Sequence, residues 1–329
     1  MGPFISIIIP NYNGAATIEK CLQAAFASDY DNFEVVVVDD CSTDKSIEII
    51  SRFPCLLIRL ESNQGAARAR NIGARNSGGD ILFFTDADCL LKQDALAIAA
   101  KTISRAGTGV IVGGTYTKIP YDRKFFSIFQ SVYIHYSELK NREDPDYIAT
   151  HALVIERRLF ERSGGFPEDF MPILEDVAFS HGLRKSGGKL IMEPRLQVEH
   201  IFNYSFIGSI KNAFRKSKYW TAYSLTNKDI LSDSGTASWE LKTTVLSCLV
   251  IWIFLVIGHF VQRYSFLYAS CAVFWVNIVF NRKLLMTFYE TRGLSFTILA
   301  ALYYTMLYPI PVGAGAVSGM MMHVSGKRR

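Results

Sequence analysis

Between residues 243 and 262 the chain carries no charged side chain for twenty positions, and two more charge-free stretches follow, eighteen residues at 264–281 and thirty-four at 293–326. A helix of twenty residues rises about 30 Å, the thickness of a hydrocarbon layer, so the first stretch, VLSCLVIWIFLVIGHFV at its heart, fits a membrane span better than a buried core helix. The second stretch begins almost at once, after Gln262 and Arg263, and the pair reads as a helical hairpin. In the third, Pro309, Pro311, Gly313 and Gly315 break the pattern, which leaves one kinked span near 293–320 or a re-entrant hairpin. With the N-terminal part in the cytosol, the hairpin returns Arg282, Lys283 and Arg292 to the inner side, as the positive-inside tendency prefers. A third full crossing puts Lys327, Arg328 and Arg329 outside against that tendency, so the count stays at two or three.

The whole chain of 329 residues is half hydrophobic and one fifth charged, with a mean hydropathy of +0.17. That excludes disorder and is high for an entirely soluble protein. Thirty-five Lys and Arg against thirty Asp and Glu leave +5, too small an excess to imply a nucleic-acid partner without a clustered basic face. Six cysteines, Cys21, Cys41, Cys55, Cys89, Cys248 and Cys271, form no CxxC pair, which argues against a zinc scaffold or a disulfide framework. The opening MGPFISIIIPNYNG has no basic leader and its apolar run stops at Pro10, so the N-terminal region is expected in a reducing cytosol.

Ahead of the charge-free stretches, apolar β-branched runs alternate with helical patterns. Strands are expected at 5–9, 34–38, 56–60 and 81–85, and helices at 17–27, 45–52, 66–76 and 93–105. Continuous runs such as EVVVVDD predict strands covered on both faces, hence an α/β fold with a mainly parallel sheet flanked by helices, followed by an α-helical membrane domain. The expected division is a catalytic domain over 1–225, a linker over 226–242 and a membrane region over 243–326, with spans at 243–262, 264–281 and 293–320. Ligands in such sheets sit beyond the carboxyl ends of the strands, where this chain places Pro10-Asn11-Tyr12-Asn13, Asp39-Asp40 and Thr85-Asp86-Ala87-Asp88. Three polar clusters side by side make a pocket for a ligand that needs hydrogen-bond acceptors and a cation. Asp86 and Asp88, two apart after a buried strand, share a side, and a divalent metal bridging phosphates relieves their repulsion. Taken alone, Asp88 equally caps the next helix and Asp86 equally serves a turn.

The motifs ISIIIPNYNG, VVVVDDCSTDKS, NQGAARARNIG, ILFFTDAD and LEDVAFSHGLRKSGGKL, in this order over residues 4–202, resemble the family 2 glycosyltransferases of the GT-A fold. The resemblance implies a nucleotide-diphosphate-sugar donor, with Pro10, Asn11 and Tyr12 edging the base and Asp39 or Asp40 accepting hydrogen bonds from base or ribose. It places Asn63 and Arg70 against the nucleotide and Arg68 on a solvated face. Asp86 is expected at ribose or metal, and Asp88 as a ligand of Mg²⁺ or Mn²⁺ that neutralises the departing diphosphate. His200 stands where relatives carry a further metal ligand. Glu175-Asp176 matches an acidic pair whose second member, Asp176, is the general base of inverting transfer, with Glu175 capping or orienting the acceptor. His151 occupies a loop expected to face the donor sugar, where relatives often carry Asn.

A basic amphipathic helix near 206–220 carries Arg215, Lys216 and Lys218 and can rest among anionic headgroups or hold a phosphate. The stretch 125–136 is amphipathic too, with core as the default destination. The expected activity is inverting transfer of one sugar to a hydroxyl of a lipid-linked saccharide or glycolipid at the cytosolic face of a membrane, in cell-envelope biosynthesis. Transfer to a polyprenyl phosphate, where no base is needed, and a non-catalytic nucleotide-sugar-binding role are the alternatives.

Overall fold

The computed structural model describes residues 2–169 and 172–326, so Lys327, Arg328 and Arg329 lie outside the described residues. In chain order the elements are β1 (Ile5–Asn11), α1 (Ile18–Phe26), β2 (Phe33–Asp39), α2 (Ser46–Ile50), β3 (Leu56–Arg59), α3 (Ala66–Arg75), β4 (Ile81–Phe84), β5 (Cys89–Leu91), α4 (Ala95–Ala106) and β6 (Val110–Tyr116). After these come α5 (Phe125–Leu139), β7 (Leu153–Glu156), α6 (Arg157–Arg162), α7 (Glu175–Lys185), β8 (Lys189–His200) and α8 (Phe206–Asn227). The last helices are α9 (Trp239–Val261), α10 (Tyr264–Phe280), α11 (Arg282–Leu302) and α12 (Pro309–Val324).

The strands form one sheet in the order β3-β2-β1-β4-β7-β6-β8-β5. β1 pairs in parallel with β2 and β4, and β2 with β3, as their uninterrupted apolar runs lead one to expect. The other half is mixed: β7 runs antiparallel to both β4 and β6, β5 runs antiparallel to β8, and only β6 with β8 is parallel. The sheet is therefore less uniformly parallel than the early βα alternation suggests, because that alternation ends with α4. Gly73 lets α3 lie close on the parallel half, where a Cβ at that position would fall 2.6 Å from Ile8 Cγ2. In β6 the pairing with β8 jumps from Gly113↔Met192 to Thr115↔Gln197. This irregularity re-aims the end of β6, and Thr115 and Tyr116 both reach the candidate site.

Two compact units divide the chain at places the sequence does not mark. The first comprises residues up to Arg123 and Glu138–Asn203; the second comprises Lys124–Ser137 and the chain from Tyr204 on. Most of α5 and all of α8 thus belong to the second unit. The amphipathic face of α5 is the reason: Phe129 stacks on Phe288 at 5.4 Å between ring centroids, and the Tyr133 hydroxyl donates to Thr236 O at 2.7 Å. Periodicity shows that α5 has an apolar face but not which surface covers it.

Within the second unit, α9 and α10 form the expected hairpin around Gln262, held by Thr244 Oγ1 donating to Asn277 Oδ1 and Asn281 Nδ2 donating to Thr244 Oγ1, each 3.0 Å. Two helical runs, 239–261 and 282–324, the second broken at Gly293, are long and apolar enough to cross a membrane; α10 has seventeen residues. The third charge-free stretch begins at a break at Gly293 (φ 76°) and contains a π-helical turn over Tyr303–Leu307. Pro309 and Pro311 sit in the first turn of α12, where a missing N–H costs little. Gly315 and Gly319 let α12 approach α8 so closely that any Cβ would collide with the carbonyl oxygens of Phe214 and Lys218.

Candidate active site

The site lies where the strand ends of the first unit meet. At the end of β1, Asn11 is buried and its Nδ2 donates to Asp39 Oδ1 at 2.8 Å. Asp39 also accepts from the Ser42 hydroxyl at 2.6 Å and the Ser42 amide at 3.0 Å, while Tyr12 stands 55% exposed at the rim beyond Pro10. Asp40 faces another way: its two oxygens accept from the amides of Gln64 (2.7 Å) and Gly65 (2.8 Å). It therefore clamps the loop that enters α3, and Asn63 reaches its carbonyl from that loop at 3.4 Å.

Arg70, on the buried face of α3, joins two acids that are 89 residues apart in the chain. Its Nη2 donates to Asp86 Oδ1 and its Nη1 to Glu175 Oε1, both at 2.6 Å, with only 5% of its side chain exposed. Burial opposes the cation, but the two carboxylates outweigh it and strengthen its hold on the proton. Phe166 lies 5.9 Å from the guanidinium, under its face. Asn71 fixes that ring's backbone on both sides, donating to Phe166 O at 2.8 Å and accepting from Phe166 N at 2.9 Å. Arg68, two residues away, meets Glu168 at 3.5 Å and is half exposed.

Each acid that Arg70 holds has a neighbour that it does not hold. Burial disfavours a charge on Asp86, yet Arg70 prevails and its carboxyl titrates below the usual range. Asp88, two residues on, is pushed up to about 7 by burial and by the charge of Asp86. Asp176, in the first turn of α7, is pushed up to about 6 by burial and by Glu175, although Oδ1 accepts from Val177 N at 2.8 Å and Oδ2 from Thr150 N at 3.3 Å. The residue before this pair, Leu174, is held at φ 78°, a costly conformation for a bulky side chain.

Two acids that repel each other and an imidazole invite a cation. Asp88 Oδ1 lies 3.4 Å from His200 Nε2 at the end of β8, close enough for both to ligate one ion. Asp86 stands apart from that pair, its Oδ1 taken by Arg70. His151 is buried beside this end of the sheet, stacked on Tyr116 at 4.0 Å, and Thr85 Oγ1 donates to its carbonyl at 2.9 Å. Burial works against a charged His151, but Glu138, with Oε2 3.6 Å from Nε2, outweighs it and raises its pKa. Glu138 was not readable as part of the site, because the last turn of α5 carries it back into the first unit. Arg215 and Lys216 are exposed on α8 and Lys218 is half-buried there; all three belong to the second unit.

Residues 6–163 match the family model described as glycosyl transferase family 2. The chain carries a family 2 glycosyltransferase domain. Among curated proteins it is similar to the glycosyltransferase AglE of Haloferax volcanii, 44% identical over 34% of this chain and 39% of that protein. An uncharacterised glycosyltransferase of Haemophilus influenzae is 45% identical over 27% of this chain and 31% of its own length. The matches thus span little more than a third of these relatives. Among solved structures, the mannosyltransferase PcManGT of Pyrobaculum calidifontis, in complex with GDP-Man and Mn²⁺, superposes with a TM-score of 0.59 at 20% identity, covering 99% of this chain and 88% of that one. The family 2 domain therefore has the GT-A fold, a mixed sheet flanked by helices, followed by a helical C-terminal region.

Proposed function

We propose that the protein is an inverting glycosyltransferase that passes one sugar from a nucleoside-diphosphate sugar to a hydroxyl of a membrane-associated acceptor, a lipid-linked saccharide or glycolipid. The observation that carries this reading is the division of labour imposed by Arg70, which ties down Asp86 and Glu175 and leaves Asp88 and Asp176 with raised proton affinity. Asn11, Asp39 and Tyr12 edge the nucleotide base, and Asp86 with Arg70 faces its ribose and phosphates. Asp88 and His200 hold a Mg²⁺ or Mn²⁺, and such an ion, when bound, neutralises the charge that builds on the leaving diphosphate. Asp176 accepts the proton of the attacking hydroxyl, and a carboxylate titrating at about 6 is a competent base at neutral pH. Glu175, fixed by Arg70, keeps Asp176 in place.

The apolar runs 239–261 and 282–324 support a membrane anchor, with the family 2 domain on the cytosolic side, where Arg282, Lys283 and Arg292 also fall. The exposed Arg215 and Lys216 on α8 favour a second reading, transfer to a polyprenyl phosphate. The two differ in chemistry: a glycosyl phosphate is acid-labile and forms without Asp176, whereas a glycoside requires that base.

Detergent-purified full-length protein with Mn²⁺ and a panel of UDP-, GDP- and dTDP-sugars tests the proposal. Slow release of nucleoside diphosphate from one donor, lost in Asp88→Ala, is the expected result. A protein that neither binds nor cleaves any donor of the panel would overturn the proposal.

A further inference from the structure

Cys89 brings a sulfur to the acid and imidazole at the end of the sheet. Its Sγ lies 3.9 Å from Asp88 Oδ1, and one ligand atom each from Asp88, Cys89 and His200 fall within 4.8 Å of one another, the only such three-residue group among the described residues. β5 dictates this placement: Cys89 pairs antiparallel with His200, so the first residue of one strand and the last of the other stand side by side. The separations of Asp88 from His200 (3.4 Å) and from Cys89 (3.9 Å) suit a single ion, since bonds of about 2.0 Å to oxygen and nitrogen and about 2.3 Å to sulfur put neighbouring ligand atoms roughly 3.3–4 Å apart.

Chemistry separates this set from a site for hard cations. Mg²⁺ wants oxygen and water and gains nothing from sulfur, while Zn²⁺, Cd²⁺ and Co²⁺ gain from a thiolate. Cys89 is fully buried. A thiophilic ion displaces the thiol proton as the metal–sulfur bond forms. The second thiol nearby, Cys21, donates to Asp86 O at 3.5 Å and is not part of the three-residue group.

We propose that Cys89 is a third inner ligand beside Asp88 and His200, so that this site prefers thiophilic divalent ions and Zn²⁺ displaces Mn²⁺ from it. The inference rests on the metal site of the proposed function and adds the sulfur to it. It follows that trace zinc competes with the working ion of the enzyme, and that the choice between them lies with one side chain.

Cobalt reads the ligand directly. Metal-free full-length protein in detergent is titrated with Co²⁺, following the visible d–d bands, which report binding, and the near-ultraviolet sulfur-to-cobalt charge-transfer band, which reports a thiolate ligand. The expected result is both signals in the wild type and in Cys21→Ser, and only the d–d bands in Cys89→Ser. Zn²⁺ competition should then be weakened in Cys89→Ser by at least about tenfold, as losing an inner ligand costs no less than the 10–100-fold typical of outer-shell changes. The affinity for Mn²⁺ should change by less than about twofold. Co²⁺ bound by the wild type without a charge-transfer band would overturn the sulfur ligand while leaving the metal site standing. A band that survives Cys89→Ser and vanishes in Cys21→Ser would assign it to the other thiol. A wild type that binds neither Co²⁺ nor Mn²⁺ would overturn the metal site itself.

Discussion

The turn after β4 and the first turn of α7 are built on the same plan. Each presents two acids, and in each Arg70 grips one, Asp86 or Glu175, and leaves the other, Asp88 or Asp176, with its proton affinity raised. The difference lies in what surrounds the loose acid. Asp88 faces His200 and Cys89, a ligand set; Asp176 faces the amides of Thr150 and Val177, which fix its orientation and supply no second ligand. In the proposed mechanism, one buried arginine thus turns two similar acidic pairs into a metal-holding end and a proton-accepting end.

Removing the arginine breaks both ends at once. Arg70→Gln leaves two carboxylates without their buried partner and should cost about 3 kcal/mol of stability, read by denaturant unfolding, together with nearly all turnover. Asp176→Asn breaks one end only: kcat should fall by roughly 10²–10⁴-fold while donor affinity stays within about twofold. The wild-type rate should rise with pH through about 6, as Asp176 loses its proton, and that limb should vanish in the variant. Stability moves in the opposite sense. Asp176 binds a proton more tightly folded than unfolded, so its charge destabilises the fold above its folded pKa; Asp176→Asn should melt higher than the wild type at pH 7.5, by a margin that disappears below the unfolded carboxylate range.

Smaller changes sharpen the contrast. Glu138→Gln removes the carboxylate that raises the pKa of His151, so that pKa should fall, as followed by the imidazole resonances in NMR. With Glu138 present, the stabilisation held by protonated His151 is complete below its unfolded pKa and fades as pH rises through the folded one. Arg68→Gln, two residues from Arg70 but half exposed, should change stability by less than about 0.5 kcal/mol and leave turnover intact.

What the sequence reveals and what it hides follow from the range of the interactions. The parallel strands and the acids at their ends are visible because burial on two faces and polar strand ends are local patterns. Asp88 and Asp176 can be named from motifs, but that Asp86 and Glu175 share Arg70 depends on a contact across 105 residues, which no local pattern carries. Asp39 and Asp40 look equivalent in VVVVDD, yet one turns toward Asn11 and Ser42 and the other toward the backbone of Gln64 and Gly65. The antiparallel β7, the grouping of α5 and α8 with the later helices, and the return of Glu138 depend on which apolar face meets which. The place of Cys89 beside His200 is hidden in the sequence, because a single cysteine in a strand reads as a small apolar residue until its partner strand is known.

The most direct test of the divided site is a side-by-side measurement of donor affinity, by titration calorimetry with Mn²⁺, and of turnover in Asp88→Asn and Asp176→Asn. Asp88→Asn should lose metal-dependent donor binding, whereas Asp176→Asn should bind the donor like the wild type yet fail to turn it over. Equal loss of binding in both variants, or full turnover by Asp176→Asn, would contradict a divided site.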